Sequence, residues 1–375
     1  MQRGIKVKVA IFCDYLHSFG GTEHYNATLA LELKERDIDV RVFVCEKPTN
    51  LYWFERLQKH NIKTYAPKRF RKNREDRSID DEFIKDIMED FIAWSPDIIH
   101  ASPAGNLLAA YLKYKKAPNI PIVATEHTTP CTDSAFWYPK HFGRILNCIN
   151  TFVATCTASA KGIKNFHKFD GPIQIIPHFI RKPRLHKTKH IPNSVACIAR
   201  MSPEKGIGVL LFAWKEVIRH IPGAKLFLYG DGRAKPHYER LAMSLGLGNN
   251  VCFAGVFDPR LGPGTIAGKH EIFVQPSLFE SIPTSLIELA LLGKPVIATK
   301  VGGIKELINN KTGVLIKSGS TDLLARSIIK LLQDKERQKI LGQQLKKSVC
   351  NKYDIQHNID SIIKLYQNII KTTHE

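Results

Sequence analysis

At 375 residues the chain is too long for one ordinary core and suits two domains, at roughly 100–200 residues each. Apolar residues at 43% and charged residues at 24% exclude a largely disordered chain. The net charge of +20 is uneven: residues 1–175 hold 25 Lys+Arg against 20 Asp+Glu, or +5, and residues 176–375 hold 30 against 15, or +15. That excess points to an anionic partner, whether nucleic acid, a phosphorylated small molecule or an anionic lipid surface.

Met1 to Phe12 alternates basic residues with valines and develops no apolar signal core, so export is not indicated and a cytoplasmic chain is expected. Strands are then predicted near Val7–Cys13, Asp39–Cys45, Asp97–Ala101, Ile120–Thr125, Thr151–Cys156 and Pro172–Pro177, with helices between, which makes one doubly wound parallel sheet. The basic run Lys68 to Arg77 lacks a helical period and is predicted to be an exposed loop. The most apolar stretch, Ile145 to Ala160, is broken by Asn147, Asn150, Thr151, Thr155 and Thr157, so no membrane span is expected.

From His178 to Asn193, Pro183, Pro192 and clustered Arg, Lys and His interrupt any period, which predicts a linker. A second strand series follows at Ser194–Ala199, Lys225–Gly230, Val251–Gly255, Ile272–Gln275, Pro295–Thr299 and Gly313–Ile316. The tail places Ile355, Ile359, Ile362, Ile363, Tyr366 and Ile370 at helical spacing, so one face needs a cover. The expected division is a first domain over 1–180, a linker over 181–193, a second domain over 194–353, and a terminal helix over 354–375 packing back towards the first domain. Eight cysteines at 13, 45, 131, 148, 156, 197, 252 and 350 form no Cys-x-x-Cys pair and are expected to be buried free thiols.

Ligands of open parallel sheets bind beyond the carboxyl ends of the strands, so the strand-to-helix turns are the places where chemistry can sit. Gly20 and Gly21, before a helix starting near Glu23, let a backbone approach a ligand and expose helix amides to an anion, although paired glycines also serve as a plain tight turn. Arg200 and Lys205 flank a helix over Ile207–His220 and suit a diphosphate, or else are two solvated cations. Pro283 marks a helix start at its first position, with Glu280 in the preceding turn and Glu288 in the second helical turn. There an acceptor-only carboxylate can hold sugar hydroxyls, and the amides of Thr284, Ser285 and Leu286 can take phosphate oxygens. By spacing alone, Glu280 and Glu288 also fit a helix-start charge and a solvated face residue.

Taken together, these pieces resemble the retaining nucleotide-sugar glycosyltransferases of family 4, which have the GT-B fold. The matching residues are Gly20-Gly21 with Glu23; Ala199-Arg200 with Glu204-Lys205-Gly206; Leu228 to Gly232; Val251 to Gly255; Glu280 to Glu288 as an E-x7-E element; Gly293 to Ile297; and Val301-Gly302-Gly303 with Glu306 and Gly313. The resemblance implies an α/β architecture of two Rossmann-like, doubly wound parallel-sheet domains facing across a cleft. It implies that Arg200 and Lys205 neutralise the donor diphosphate, that Glu288 holds the ribose hydroxyls and Glu280 the transferred sugar, and that Gly20 and Gly21 meet the donor from the other wall. Ser281, Ile282, Pro283, Thr284 and Ser285 would line the donor. His127, in Thr125-Glu126-His127-Thr128, looks like the histidine placed beside the reacting sugar, with Glu126 as a competitor for that role. Ala199 stands where the family commonly has glycine.

The expected activity is retaining hexosyl transfer from a UDP- or GDP-sugar to a glycan or lipid-linked acceptor in cell-surface polysaccharide or lipopolysaccharide synthesis. Cations and helix amides would carry the leaving-group charge, so no metal or other cofactor is expected; the sequence offers no Asp-x-Asp pair at the candidate turns. The positive charge further suggests peripheral binding to an anionic cytoplasmic leaflet. Two other readings compete. One is a GT-B relative with other chemistry, an epimerase or phosphorylase. The other is a nucleic-acid-binding protein, which lacks support: no basic stripe carries interleaved aromatics, and Gly264-Thr-Ile-Ala-Gly268-Lys269-His270 fails the P-loop spacing.

Overall fold

The computed structural model describes residues 7–13, 16, 20–45, 51–66, 81–103, 105–113, 119–132, 138, 142–257 and 262–374. The predicted loop from Lys68 to Arg77 lies outside the described residues. The chain divides into two compact units, Met1–Phe179 with Gln356–Glu375, and Ile180–Ile355.

The first unit holds a seven-stranded parallel sheet in the order β3-β2-β1-β4-β5-β6-β7. Its strands are β1 Lys8–Cys13, β2 Asp39–Val44, β3 Lys63–Tyr65, β4 Ile98–Ala101, β5 Ile122–Glu126, β6 Thr151–Ala154 and β7 Ile173–Ile175. Central strands such as Lys8–Cys13 run apolar on both faces because helices cover both sides of the sheet. One side packs Phe12 against Phe43, Phe91 and Tyr111 at ring separations of 5.6, 5.8 and 6.0 Å. The edge strand β3 escapes the sequence pattern because Lys63 is exposed, Thr64 and Tyr65 are only half-buried, and the three carry no apolar run.

The terminal helix α14, Ile355–His374, belongs to this unit over most of its length. Its buried face is Asn358, Ile359, Ile362, Leu365 and Tyr366, which repeats the expected i, i+3, i+4 spacing. Tyr366 Oη lies 2.5 Å from Nδ1 of buried His100, whose Nε2 lies 2.8 Å from Thr125 Oγ1. Asn358 Nδ2 donates to the His178 carbonyl at 3.2 Å. The helix is therefore tied to the sheet by buried polar bonds as well as by apolar area.

The second unit carries a six-stranded parallel sheet in the order β10-β9-β8-β11-β12-β13. The strands are β8 Ser194–Ile198, β9 Lys225–Tyr229, β10 Val251–Gly255, β11 Ile272–Gln275, β12 Val296–Thr299 and β13 Val314–Ile316. The main core gathers around Trp214, fully buried on α7 (Ile207–His220), with Leu210, Leu226, Leu228 and Ile328. Burying Trp214 contributes about 3–5 kcal/mol by the usual cost of Trp-to-Ala truncation.

The segment over 181–193, expected to be a linker, packs within this unit. His186 N donates to Gly264 O at 3.4 Å and Ile191 N to Lys269 O at 2.9 Å, so the segment runs along helix α9, Gly264–Lys269. A Cβ at Gly264 would overlap the Arg184 carbonyl, and one at Gly268 would press on Thr188 and the His186 carbonyl. The two glycines, one helical turn apart, clear a groove for a passing backbone, which is the physical sense of the motif that failed as a P-loop.

All eight cysteines are free thiols, but only Cys13, Cys45, Cys156 and Cys197 are buried; Cys131 is half-buried, and Cys148, Cys252 and Cys350 are exposed. Cys252 sits on the edge strand β10, where alternate side chains face solvent. Among the described residues no helix is long and apolar enough to cross a membrane.

Candidate active site

In the second sheet the chain order reverses between β8 and β11, and the turns leaving these two strands lie side by side. The β8 turn carries Arg200, then a 3-10 turn over Pro203–Lys205, then Gly206 as the cap of α7. Gly206 adopts the left-handed conformation, φ 68°, and a Cβ there would overlap the Pro276 carbonyl in the β11 turn. Leu278 N donates to Glu204 O at 2.8 Å, which fastens the two turns together.

Ala199, the departure from the family's glycine, lies against the β9 turn. A Cβ at Gly230, φ 132°, would overlap the Ala199 carbonyl, and one at Gly232 would overlap the Met201 carbonyl.

Lys205 Nζ donates to Glu280 Oε2, and both side chains are mostly buried, 15% and 12% exposed. The cation assigned to the diphosphate and the carboxylate assigned to the sugar are thus partners in the ligand-free chain. Arg200 is looser: its side chain is 57% exposed, and Nη2 lies 3.4 Å from Glu204 Oε1. Glu204 also accepts from Ser202 Oγ at 2.5 Å. With each cation beside a carboxylate, the turn has little net charge, and the remaining pull on an anion comes from the helix start beside it.

That helix, α10, spans Thr284–Leu291, and Pro283 is its N-cap rather than its first residue, with extended φ −63° and ψ 131°. Proline supplies no side-chain cap, so the first amides keep no intrahelical partner. The expectation for Leu286 needs correction: its amide donates to Pro283 O at 3.1 Å, because the first turn tightens to i, i+3 geometry. Thr284 and Ser285 therefore carry the amides at the helix tip. Ser285 Oγ donates to the Ile198 carbonyl at 3.0 Å and locks the tip to the end of β8.

Ser281 and Ile282 are buried, so any donor contact from them is through backbone. Gly303 N donates to Ser281 O at 3.0 Å, and Thr299 Oγ1 to Ser277 O at 2.6 Å, which grip the loop from the β12 side. Glu288 is half-buried on α10, and burial pushes its carboxyl up to about 8. It is therefore largely protonated near neutral pH and can donate one hydrogen bond, in contrast to the acceptor-only carboxylate expected from sequence.

In the first unit, α1 spans Gly21–Glu35 with Gly20 as N-cap. The Glu23 carboxylate folds against Gly20, where a Cβ would overlap it. This helix start already holds an acid, so the anion-attracting role expected of Gly20 and Gly21 is shared with Glu23.

His127 follows β5 directly, and neither ring nitrogen has a hydrogen-bond partner among the described residues. Its ring meets Tyr25 edge-on at 4.8 Å and stacks on His178 at 6.1 Å. Glu126 is committed elsewhere: its Oε1 accepts from Thr128 N and Oγ1 at 2.8 and 2.7 Å, and its Oε2 from Tyr138 Oη at 3.1 Å. Of the two neighbours, His127 is the one with hydrogen-bonding capacity to offer.

Two family models cover nearly the whole chain: "Glycosyltransferase Family 4" over residues 19–182 and "Glycosyl transferases group 1" over residues 180–348. The chain belongs to the family 4 type of glycosyltransferases. It is 25% identical over 302 residues to a sulfoquinovosyl transferase of Arabidopsis thaliana, covering 72% of this chain and 56% of that one. It is 24% identical to the N-acetyl-alpha-D-glucosaminyl L-malate synthase of Bacillus anthracis, over 98% of both chains. The chain thus spans about half the length of the Arabidopsis relative but nearly all of the Bacillus one. Among solved structures, HepE of Anabaena in complex with UDP and glucose matches with a TM-score of 0.76 at 19% identity, over 96% of this chain and 99% of that one. The fold is GT-B, with one parallel α/β sheet in each unit.

What sequence alone missed in this family 4 chain is the company of His127. His24, His100 and His178 gather with it around buried Tyr25. Among the described residues no group of three or more His, Cys, Asp or Glu could hold a metal ion. The four histidines are separated by 76, 27 and 51 positions, and a period-based reading has no term for contacts made by the sheet's crossovers.

All four are kept neutral, chiefly by burial: His24 and His178 are pushed down to about 4 and His100 to about 3, while burial first, and then the nearness of the His178 and His100 imidazoles, which disfavours a further positive charge, holds His127 well below the usual histidine range. Unfolded imidazoles bind protons near 6.5, the folded ones only well below that. Between these values the unfolded state holds more protons, so this contribution to stability is complete above about pH 7 and is lost as pH falls towards 4. Thermal unfolding should show the first unit losing stability between pH 7 and 5 ahead of the second. A melting profile unchanged across that range would contradict the assignment.

Proposed function

We propose that the protein transfers a hexosyl group, with retention of anomeric configuration, from a UDP- or GDP-sugar to a glycan or lipid-linked hydroxyl. The observation that carries this reading is the placement of Lys205, Glu280 and Arg200 beside the α10 tip, at the point where the second sheet reverses its strand order. Cleaving the sugar–phosphate bond leaves negative charge on the diphosphate. Arg200, Lys205 and the amides of Thr284 and Ser285 receive it, and Glu280 turns from its ion pair towards the sugar. No metal is taken as part of this step. His127 would offer a neutral ring nitrogen to a sugar hydroxyl. The UDP complex of the Anabaena structural relative supports a nucleoside diphosphate at this fold's donor site. The net charge of +20 supports work at an anionic membrane surface in polysaccharide or lipopolysaccharide synthesis, in which case anionic vesicles should retain the protein better than neutral ones.

A panel of UDP- and GDP-sugars, read first by thermal shift and then by NMR of the product anomer, tests the reading. One donor class should stabilise the protein and yield a product with the donor's configuration; an inverted anomer, or free interconversion of nucleotide sugars, would refute it.

Glu288 supplies a second test. If the ribose hydroxyls bind its carboxylate, binding must expel the proton it holds up to about pH 8. Nucleoside diphosphate affinity should then rise between pH 6 and 8 more steeply in the wild type than in Glu288→Gln, whose slope reports only the phosphates. Equal slopes would place the ribose elsewhere.

A further inference from the structure

An open cavity of about 490 Å³ lies at the opposite end of the second sheet from the donor turns. It is lined by residues that lead into β11 and β12 and by the start of α13, Lys335–Val349. Arg200, Lys205, Glu280 and Glu288 take no part in it. The intervening strand β11, at four residues, separates the two ends by about 13 Å.

Lys294 is fixed there by its backbone. Gly293, φ 74°, and Lys294 close α10 with paired bonds, Gly293 N to Ala290 O at 2.9 Å and Lys294 N to Leu289 O at 3.0 Å. Lys294 is half-buried and has no carboxylate partner among the described residues, and burial lowers its pKa. His270, 1% exposed, also lines the cavity. Its Nε2 lies 2.9 Å from Tyr229 Oη, and its buried Nδ1 has no partner. When Tyr229 donates to Nε2, Nδ1 carries the proton as a fixed donor.

One acid, Glu271, is present, and it is already engaged by Lys335 Nζ, with His190 Nε2 at 3.7 Å from its other oxygen. Lys339 adds a further exposed cation. A half-buried lysine and an unsatisfied imidazole, in a basic cavity where the one carboxylate among the described lining residues is neutralised, lack an anion.

We infer that this cavity binds a phosphate dianion, free or as a monoester, at a site separate from the donor turns, through Lys294, Lys339 and His270 Nδ1–H. Two hydrogen bonds from cations and one from a neutral donor suit three phosphate oxygens.

The test follows the His270 imidazole resonances of the full-length protein, assigned by their loss in His270→Asn, during titration with inorganic phosphate against sodium chloride at matched ionic strength. A saturable shift with phosphate and none with chloride is expected, and Lys294→Met and Lys339→Ala should each weaken it about tenfold. Arg200→Ala should leave it unchanged, since that residue lies at the other end of the sheet. Sedimentation with vesicles of phosphatidic acid or phosphatidylglycerol separates the sources. Lys294-dependent preference for the monoester lipid assigns a headgroup, and phosphate binding without such preference assigns a soluble ligand. No saturable shift, an equal shift with chloride, or wild-type affinity in both lysine variants would overturn the inference.

Discussion

Lys205→Ala should lower turnover about 10²–10³-fold, the usual effect of deleting one preorganised donor to a developing anion. The loss should exceed the deletion of a cation alone. Glu280 is only 12% exposed and would remain beside the diphosphate without its partner. Nucleoside diphosphate binding should therefore weaken in Lys205→Ala and recover in Lys205→Ala/Glu280→Gln, while turnover stays low in both. Glu280→Gln alone should bind the diphosphate more tightly than the wild type, since it frees the ammonium, and still transfer slowly. Unchanged turnover in Lys205→Ala would remove the leaving-group role assigned to this turn.

Gly206→Ala should destabilise the second unit by about 3 kcal/mol or more and abolish transfer with it. A left-handed alanine costs about 1–2 kcal/mol by itself. The larger penalty comes from the Cβ, which would meet the Pro276 carbonyl in a turn fixed by the Leu278–Glu204 bond and by the Thr299 clamp. Gly246 is the control: its φ is 72°, but nothing lies within 4 Å of an added Cβ. Urea unfolding should show Gly246→Ala costing only the conformational amount. Equal losses at the two positions would mean that the contact between the β8 and β11 turns does not hold the site together.

The parts of the molecule legible in the sequence are those set by local periodicity. Both parallel sheets follow from short apolar runs, and the buried face of α14 follows from the spacing of Ile359, Ile362 and Tyr366. Turn chemistry carried the candidate site, because Gly206, Pro283 and the glycines at 230 and 232 each answer a backbone constraint visible in residue type. Besides the histidine cluster around Tyr25, four features were not legible. The short edge strand β3 has too little apolar content to register. The segment over 181–193 reads as a linker because its prolines and charges break every period, and what docks it is the paired glycines of α9, eighty residues later in the chain. The pairing of Lys205 with Glu280 and the protonation of Glu288 depend on distance and burial, which residue type does not encode.

The central claim is that the β8 turn and the α10 tip together receive the leaving diphosphate. A crystal structure with the bound nucleoside diphosphate tests it most directly. The account predicts terminal phosphate oxygens within hydrogen-bond reach of Lys205 Nζ, the Arg200 guanidinium and the amides of Thr284 and Ser285, with Glu280 released from Lys205. A diphosphate bound away from these groups, with Lys205 still held by Glu280, would contradict it.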